Sequence, residues 1–350
     1  MSEAPLRAVP LMAIVLLLTV ACGGQSDGTA PDAAATQTAI AGTGGATISE
    51  FDLPTRDGVP HSIAIDSAGR LWFTEFQGNK LGMFDPASER FEEWEVPTAN
   101  ARPHGIGVDR DGIVWITYIG LSRLASFDPE TEQFQEFAIP SANTGPHTIV
   151  FDAAGDLWFT ESRGNAIARL DRATGEIEEV PVPTAGSVPY GIVIDQQGVV
   201  WWAELQGHRI GRYDPASGEL VELSPPTPEQ GARRIAVDAN GDLWFTEYDA
   251  GSLGYYNPRT QQFEEYELPT ADSQPYAIVV ARDGAVWLSE FQGNKIVRFD
   301  PQTKTFEEFD IPTPNARCRT MLEDADGAIW CPESGSGKLL RLVPPGGLTP

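Results

Sequence analysis

Residues 146–184 read PHTIVFDAAGDLWFTESRGNAIARLDRATGEIEEVPVPT. Four short apolar segments lie within them, PHTIVFD, LWFTES, AIARLD and EIEEVPV, and each is as long as an ordinary strand. Gly, Asp, Asn and Thr residues separate the segments, which is typical of antiparallel strands joined by tight turns. The stretch therefore predicts one four-stranded antiparallel sheet.

The same pattern recurs seven times with a period of 43 residues. In each repeat a Gly stands three residues before a Trp, and a Pro recurs at the same period. Repeats of four short strands at a period of about 40–45 residues are typical of β-propellers, so the sequence predicts an all-β, seven-bladed β-propeller. The repeated tryptophans are Trp72, Trp115, Trp158, Trp201, Trp244, Trp287 and Trp330.

The two ends of the repeat region complement each other. The last repeat ends after LLRLV (residues 339–343) and lacks a fourth strand, whereas ISEFDLPT (residues 48–55) resembles a fourth strand without the three that should precede it. We therefore expect the N-terminal strand to close the seventh blade. Fourth strands repeatedly carry paired acids, such as Glu92 and Glu93. Protection of an exposed sheet edge and cation binding are both open for these pairs, and edge protection is favoured.

The chain is strongly acidic. Its 350 residues include 24 Lys and Arg against 50 Asp and Glu, a net charge of −26. Because nucleic acids are bound through clustered Lys and Arg, this balance excludes a nucleic-acid partner. Hydrophobic residues make up 41% of the chain, which is enough for a packed core and excludes a wholly disordered protein. We expect a monomer.

Three cysteines are too few for a disulfide scaffold. Two of them, Cys318 and Cys331, lie in the last repeat. Counting outward from the turn between the first two strands of that repeat places these two side chains on opposite faces of the hairpin. The sequence therefore predicts that they do not form a disulfide.

The N-terminal residues predict export. The apolar run AVPLMAIVLLLTV has the length of the core of a signal peptide and is short for a membrane span, and it ends in LTVAC, which resembles a bacterial lipobox with Cys22 as the lipidated residue. An ordinary secretory signal is the alternative. We expect a lipoprotein-type signal at 1–22, a flexible linker at 23–46 and the propeller at 47–345, held at the extracytoplasmic side of a membrane by a lipid anchor.

The turn after the first strand of each repeat determines which side chains oppose each other. In the third repeat, Asp152 and Gly155 match a type I turn followed by a left-handed glycine, and counting outward places His147 opposite Glu161. First strands are innermost in a propeller, so the sevenfold repeat converts this pair into two rings around the central channel. The rings are His61, His104, His147, Tyr190, Arg233, Tyr276 and Arg319 on first strands, and Glu75, Tyr118, Glu161, Glu204, Glu247, Glu290 and Glu333 on second strands.

The first-strand ring and the second-strand ring indicate different roles for their side chains. A Glu at six of seven positions favours an architectural role, whereas the first-strand ring varies between blades, as expected of a surface that faces a ligand. His, Tyr and Arg are side chains for acid–base chemistry, stacking and anion binding. For His61, His104 and His147, a ligand-binding or catalytic role and a role as hydrogen-bonded channel liners both remain open.

At these residues the sequence resembles the virginiamycin B lyase (streptogramin B lyase) family over residues 48–343. The resemblance implies a seven-bladed propeller that opens a cyclic depsipeptide antibiotic at its ester by β-elimination, and hence antibiotic resistance, with a His base and a Mg²⁺ held by two Glu. The segments NARPHGI, TGPHTI and PYGI carry the match. They imply that His104 contacts substrate, His147 is the base, Glu161 holds the metal, and Tyr190 lines the site.

One position departs from the family pattern. Gly145 stands where the family has its second metal-binding Glu, two residues before the base. The resemblance therefore predicts a C–O lyase acting on a cyclic depsipeptide or related ester, with a Mg²⁺ that has lost one ligand. The alternative is a membrane-tethered, non-catalytic propeller that binds a small anionic or aromatic ligand in its channel, for which Arg233 and Arg319 are the favouring residues.

Overall fold

A computed structural model describes residues 33–34, 37–41 and 45–346. The predicted signal peptide, with Cys22, and most of the predicted linker lie outside these residues. Within the described residues no helix is long and apolar enough to cross a membrane. The secondary structure is almost entirely β, with one short 3-10 helix at Arg56–Gly58.

The described residues form thirty strands in seven antiparallel sheets, each with at least four strands, so the prediction of a seven-bladed all-β propeller is confirmed. In chain order they are β1 Ala33–Ala34, β2 Gln37–Ala41, β3 Thr47–Asp52, β4 Pro60–Ile65, β5 Leu71–Glu75, β6 Lys80–Asp85, β7 Arg90–Glu95, β8 Pro103–Val108, β9 Val114–Tyr118, β10 Arg123–Asp128, β11 Gln133–Ala138, β12 Pro146–Phe151, β13 Leu157–Glu161, β14 Ala166–Leu170, β15 Ile177–Pro181, β16 Pro189–Ile194, β17 Val200–Glu204, β18 Arg209–Asp214, β19 Glu219–Leu223, β20 Ala232–Val237, β21 Leu243–Glu247, β22 Ser252–Asn257, β23 Gln262–Glu267, β24 Pro275–Val280, β25 Val286–Glu290, β26 Lys295–Asp300, β27 Thr305–Asp310, β28 Leu322–Glu323, β29 Ile329–Glu333 and β30 Lys338–Val343.

Each blade has four strands, which we call A to D from the channel outward. Blades 1 to 6 run β4–β7, β8–β11, β12–β15, β16–β19, β20–β23 and β24–β27. In blade 7, strands A to C are β28, β29 and β30, and strand D is the N-terminal β3. Thr47 pairs with Val343 and Asp52 with Lys338, so the predicted closure by the N-terminal strand is confirmed.

Two further strands come from the segment that the sequence predicted to be a linker. The backbone of β2 pairs with β3 at the outer edge of blade 7, and the backbone of β1 pairs with β7 at the outer edge of blade 1. These pieces of residues 23–46 thus extend two blades by backbone pairing.

The A–B turns explain the repeated Asp, Gly and Trp. In blade 3, Gly155 has a φ of +93°, the left-handed conformation that favours glycine. Asp152 Oδ1 accepts the N–H groups of Gly155 and Asp156, and its Oδ2 accepts the Trp158 indole N–H at 3.1 Å. The same Asp–Trp hydrogen bond occurs in every blade except the sixth, where Ala281 replaces the aspartate.

The hydrophobic core lies between neighbouring blades. Trp115 and Leu124 of blade 2, for example, pack with Leu157 and Phe159 of blade 3, and all four are buried. Because each sheet buries its faces against the next blade, the ring is stable only when it is closed.

The second acid of each strand D pair joins adjacent blades. Glu93 is only 8% exposed, and its carboxylate accepts both the N–H and the hydroxyl of Thr55 from the preceding blade. Edge protection is therefore wrong for this position, although Glu92 beside it is exposed. The corresponding bonds in the other blades join Thr98 to Glu136, Ser141 to Glu179, Thr184 to Glu222, Thr227 to Glu265, Thr270 to Glu308, and Thr313 to Glu50.

Cys318 and Cys331 form a disulfide, with their Cα atoms 5.8 Å apart, so the prediction that they do not pair is wrong. Cys318 lies opposite Glu333 rather than opposite its neighbour Ser334. A one-residue shift in register reverses the face to which a strand residue points, and this shift brings both sulfur atoms to the same face.

Candidate functional site

A one-residue bulge in strand A forms the inner ring. In blade 3, Ile149 pairs with Phe159 as predicted, but Pro146, not His147, pairs with Glu161. The Thr160 hydroxyl accepts the N–H of Thr148 and donates to the carbonyl of the next blade. This hydroxyl satisfies the backbone group that the bulge removes from the ladder. As a result His147 faces the channel and Glu161 does not face His147.

Four of the predicted site residues form one continuous stack. The ring centroids of His61 and His104 are 3.7 Å apart, those of His104 and His147 are 4.0 Å apart, and those of His147 and Tyr190 are 3.7 Å apart. All four side chains are buried. The structure thus brings the predicted base and the predicted substrate-contacting side chains together at one level of the channel.

The other half of the ring is cationic and aromatic. The Arg233 guanidinium lies 3.9 Å from the Tyr276 ring centroid and donates to the Tyr190 hydroxyl at 3.0 Å. Arg319 Nη1 donates to the Tyr276 hydroxyl at 3.3 Å, and the Tyr190 and Tyr276 hydroxyls are hydrogen-bonded to each other. Burial alone would raise the pKa of Tyr276, but the surrounding guanidinium groups outweigh burial and lower it.

The three histidines of the ring are neutral at physiological pH. Burial is the main cause that lowers the pKa of each well below its ordinary value, and the guanidinium groups of the channel lower it further. For His61 and His147 the neighbouring imidazole of His104 acts in the same direction. His147 Nδ1 lies 2.9 Å from the Thr148 hydroxyl, and His61 Nδ1 lies 3.2 Å from the Ser62 hydroxyl. A neutral imidazole with one nitrogen engaged is suited to accept a proton at the other.

Sequence analysis missed Arg234, which follows Arg233 and lies inside the channel with only 6% of its surface exposed. The sequence signal was available, because the equivalent position in the other six blades is Ser, Gly, Thr or Ala. It also missed an aromatic rim that follows strand B. Phe76 lies 6.0 Å from His61, and Phe291 stacks on Tyr276 at 5.2 Å.

The six glutamates that end strand B are buried below the B–C turns. In blade 3, a Cβ added to Gly164 would lie 2.5 Å from Glu161 Oε2, so this carboxyl packs directly against the turn. Burial is the main cause that raises the pKa of Glu161 to about 8, and the carboxylate of Glu179 raises it as well. The other five, Glu75, Glu204, Glu247, Glu290 and Glu333, show the same direction of shift with burial as the first cause.

The residues present do not fit the Mg²⁺ that the resemblance implies. A Cβ on Gly145 would lie 2.8 Å from Cζ of Arg163, so a guanidinium group occupies the side of the site where a second carboxylate would be needed. Burial raises the pKa of Glu161 to about 8, which favours the protonated form, whereas Mg²⁺ prefers anionic oxygen ligands. Among the described residues no group of three His, Cys, Asp or Glu is arranged to hold a metal ion.

Comparisons with known proteins agree with this architecture. The profile of the virginiamycin B lyase family matches residues 32–119 and 109–349. A virginiamycin B lyase from Staphylococcus aureus is 27% identical, with 85% of this chain and 99% of that chain covered and a TM-score of 0.80. A streptogramin B lyase is 30% identical, with 85% of this chain and 97% of that chain covered and a TM-score of 0.80.

A catalytically inactive variant of the Staphylococcus aureus enzyme, with a histidine replaced by alanine, is matched in a structure with quinupristin. It has 27% identity, coverage of 85% of this chain and 99% of that chain, and a TM-score of 0.80. No curated protein sequence matches this chain.

Proposed function

The chain belongs to the virginiamycin B lyase family, and from this premise we propose that it is a C–O lyase that opens a cyclic depsipeptide or related ester by β-elimination, with His147 as the base. The observation that carries the proposal is the state of His147. Its imidazole is neutral and hydrogen-bonded through Nδ1 to Thr148, and it stands beside a cationic half-ring.

The hydrogen bond of His147 determines which nitrogen acts. When Nδ1 carries the proton and donates it to the Thr148 hydroxyl at 2.9 Å, the lone pair of Nε2 is free. This tautomer makes Nε2 the base. Thr148 is then a positioning residue, because it holds the imidazole without contacting the substrate.

The proposed reaction breaks the C–H bond at the α carbon and the C–O bond at the β carbon, forms one C=C bond, and ends when His147 releases the proton it has taken to solvent. Nε2 of His147 removes the proton on the carbon next to a carbonyl, and the electron pair forms a carbon–carbon double bond as the bond from the β carbon to the ester oxygen breaks. The products are a carboxylate and an α,β-unsaturated residue in one linear chain, and no water is consumed. The Arg233 and Arg319 guanidinium groups are the nearest cationic groups of the ring for charge that develops on the carbonyl oxygen.

The remaining ring residues suit an apolar cyclic substrate. His61, His104 and Tyr190 form, together with His147, a continuous row of tilted ring contacts, and Phe76 adds a ring at its edge, 6.2 Å from His104. Aromatic surfaces of this kind bind apolar and aromatic side chains of a peptide. We assign these residues to substrate binding.

The test is incubation of the purified protein with a streptogramin B antibiotic, followed by mass spectrometry with and without EDTA. We expect a ring-opened product of unchanged mass, formed equally with EDTA, because the proposal uses no metal. His147→Ala should lower the rate by about 10²–10⁴ with little change in melting temperature. The control is His208→Ala, since His208 lies in a B–C turn and its Nδ1 accepts from Gly231 N–H at 3.1 Å.

A product heavier by one water molecule would instead indicate hydrolysis, and equal activity of His147→Ala and wild type would refute the role of His147 as the base.

A second candidate function is ligand binding without turnover. It is favoured by the surroundings of Gly145, because the guanidinium of Arg163 lies beside this residue, where the family pattern has a Glu that binds the metal. This candidate requires that the antibiotic binds the ring and is recovered intact.

For the location of the protein, we propose export and anchoring through a lipid on Cys22. The support is the sequence LTVAC at the end of the apolar N-terminal run. The anchor would hold a monomeric propeller at the extracytoplasmic side of the membrane, where small molecules reach the channel.

A further inference from the structure

The channel contains a second polar level below the ring, built around Arg234. It is formed by the residues that follow the ring position in strand A. Six of these seven residues are small, and a cavity of about 180 Å³ lies among them. Arg234 extends into this space, and Ser62, Gly105, Thr148, Gly191 and Thr320 line it.

The guanidinium of Arg234 is buried and mostly unpaired. Among the described residues, Nη1 donates to the Thr148 hydroxyl at 2.7 Å, while Nε and Nη2 are buried and have no hydrogen-bond partner. The guanidinium also lies 5.3 Å from the Tyr190 ring centroid and 5.9 Å from that of Tyr276. Over residues 45–346 no ion pair joins Arg234 to a carboxylate. A buried guanidinium without a carboxylate partner is unfavourable, so this space favours an anion.

The other charged and titratable groups of the channel do not neutralise Arg234. Arg233 and Arg319 belong to the same channel, and the three ring histidines are neutral. The cations lower the pKa of Tyr276 below its ordinary value, and its hydroxyl is already bonded to Tyr190 and Arg319. One phenolate would leave two of the three guanidinium charges without compensation.

The hydroxyl groups of this level are suited to an oxyanion. Thr148 Oγ1 accepts from Arg234 Nη1, and in the tautomer proposed above it also accepts from His147 Nδ1. Its own hydrogen is then free to be donated. Nε and Nη2 of Arg234 together with this hydroxyl form a set of donors around one small cavity, which matches the fork geometry by which arginine binds oxyanions.

We propose that the cavity at Arg234 is a binding site for one small oxyanion, a carboxylate, sulfate or phosphate, inside the central channel. Binding of the anion goes beyond the proposed lyase reaction, because it uses the strand A level below the ring and requires no turnover, although the site shares Thr148 with the proposed base. The anion would neutralise the guanidinium cluster and hold Arg234 and Thr148 in place.

The experiment counts anions in the purified protein. Exhaustively desalted protein is denatured and its released anions are quantified by ion chromatography, and a second sample is dialysed to equilibrium against radiolabelled sulfate in Tris chloride. We expect the retained oxyanion plus the added sulfate to sum to about one per chain. Arg234→Met should weaken sulfate binding at least tenfold, and the surface control Arg110→Met, with the same change of charge, should leave it unaltered.

If Arg234→Met fails to fold, Arg234→Lys is the second variant to test, because it keeps a positive charge in the channel. We expect it to fold and to bind sulfate more weakly than wild type, because lysine lacks the fork. The proposal is overturned if wild type neither retains nor takes up an oxyanion, or if both Arg234 variants bind sulfate as wild type does. Acetate and phosphate as competitors identify which oxyanion binds best. Because no ester substrate is used, the result is independent of whether the lyase assay succeeds.

Discussion

Replacing Glu247 by Gln should stabilise the protein at neutral pH. Glu247 ends strand B of blade 5 and is fully buried, and the nearby carboxylate of Glu265, which accepts the N–H and hydroxyl of Thr227, raises its pKa beyond the effect of burial. Other blades place a cation beside the strand D acid, such as Lys80 beside Glu93 in blade 1. Ser252 stands at this position in blade 5, so no cation offsets the paired carboxyls.

The size of the expected gain in the free energy of unfolding follows from the pKa of Glu247. Burial first, and then the charge of Glu265, raise it from 4.5 to about 9 in the folded protein. Above pH 4.5 the unfolded chain loses a proton that the native chain keeps, so Glu247 lowers the free energy of unfolding as pH rises toward 9. A fully retained proton corresponds to about 1.4 kcal/mol per pH unit, which amounts to at most about 3 kcal/mol at pH 7.

Gln keeps the size of the protonated side chain and a donor for Glu265, but it does not titrate. The assay is urea unfolding at pH 5, 6, 7 and 8. We expect Glu247→Gln to match wild type near pH 5 and to gain stability steadily toward pH 8. The control Glu267→Gln, on the exposed end of the same strand D, should show no such trend. A Glu247→Gln variant that is less stable than wild type at pH 7, or a difference independent of pH, would refute the reasoning.

Three further outcomes are expected. Glu50→Gln should lower the free energy of unfolding by about 1–3 kcal/mol in urea melts, because Glu50 accepts hydrogen bonds from Thr313 and Lys338 at the ring closure. The control Glu92→Gln changes an exposed residue and should not lower it. Equal effects of the two variants would contradict the closure role. Cys318→Ser should cost about 2–3 kcal/mol by removing a short disulfide loop, and dithiothreitol should then destabilise wild type but not the variant. Cys22→Ala should move the protein from the membrane fraction to the soluble fraction, and unchanged fractionation would favour an uncleaved signal anchor.

The fold was predictable because its determinants repeat. The 43-residue period, the Asp and Gly of the A–B turns and the missing fourth strand at one end each have a local sequence signature. The structure confirms the blades and the closure by β3. Seven copies of one pattern make such signals stronger than any single strand or turn would be.

The register of the inner ring was not predictable in the same way. The bulge at His147 and Thr148 depends on the Thr160 hydroxyl, which replaces a ladder hydrogen bond and also bonds the next blade. This contact crosses between blades, so counting outward from a turn within one blade does not reveal it. This shift changed the predicted partner of His147, and a shift of the same size in blade 7, where Cys318 lies opposite Glu333, reversed the prediction for the disulfide.

The positions at which the blades differ determine where specific chemistry can lie. The Glu at the end of strand B occurs in six blades with the same burial and the same direction of pKa shift, so Glu161 shares its environment with five architectural residues. Strand A differs from blade to blade at two successive levels: the ring position is His, Tyr or Arg, and the position after it is small in six blades and Arg234 in the fifth. Because Arg234 bonds Thr148 and Thr148 bonds His147, the two levels are linked by hydrogen bonds. A change at Arg234 should therefore alter the orientation of the imidazole, even though the guanidinium does not touch the substrate.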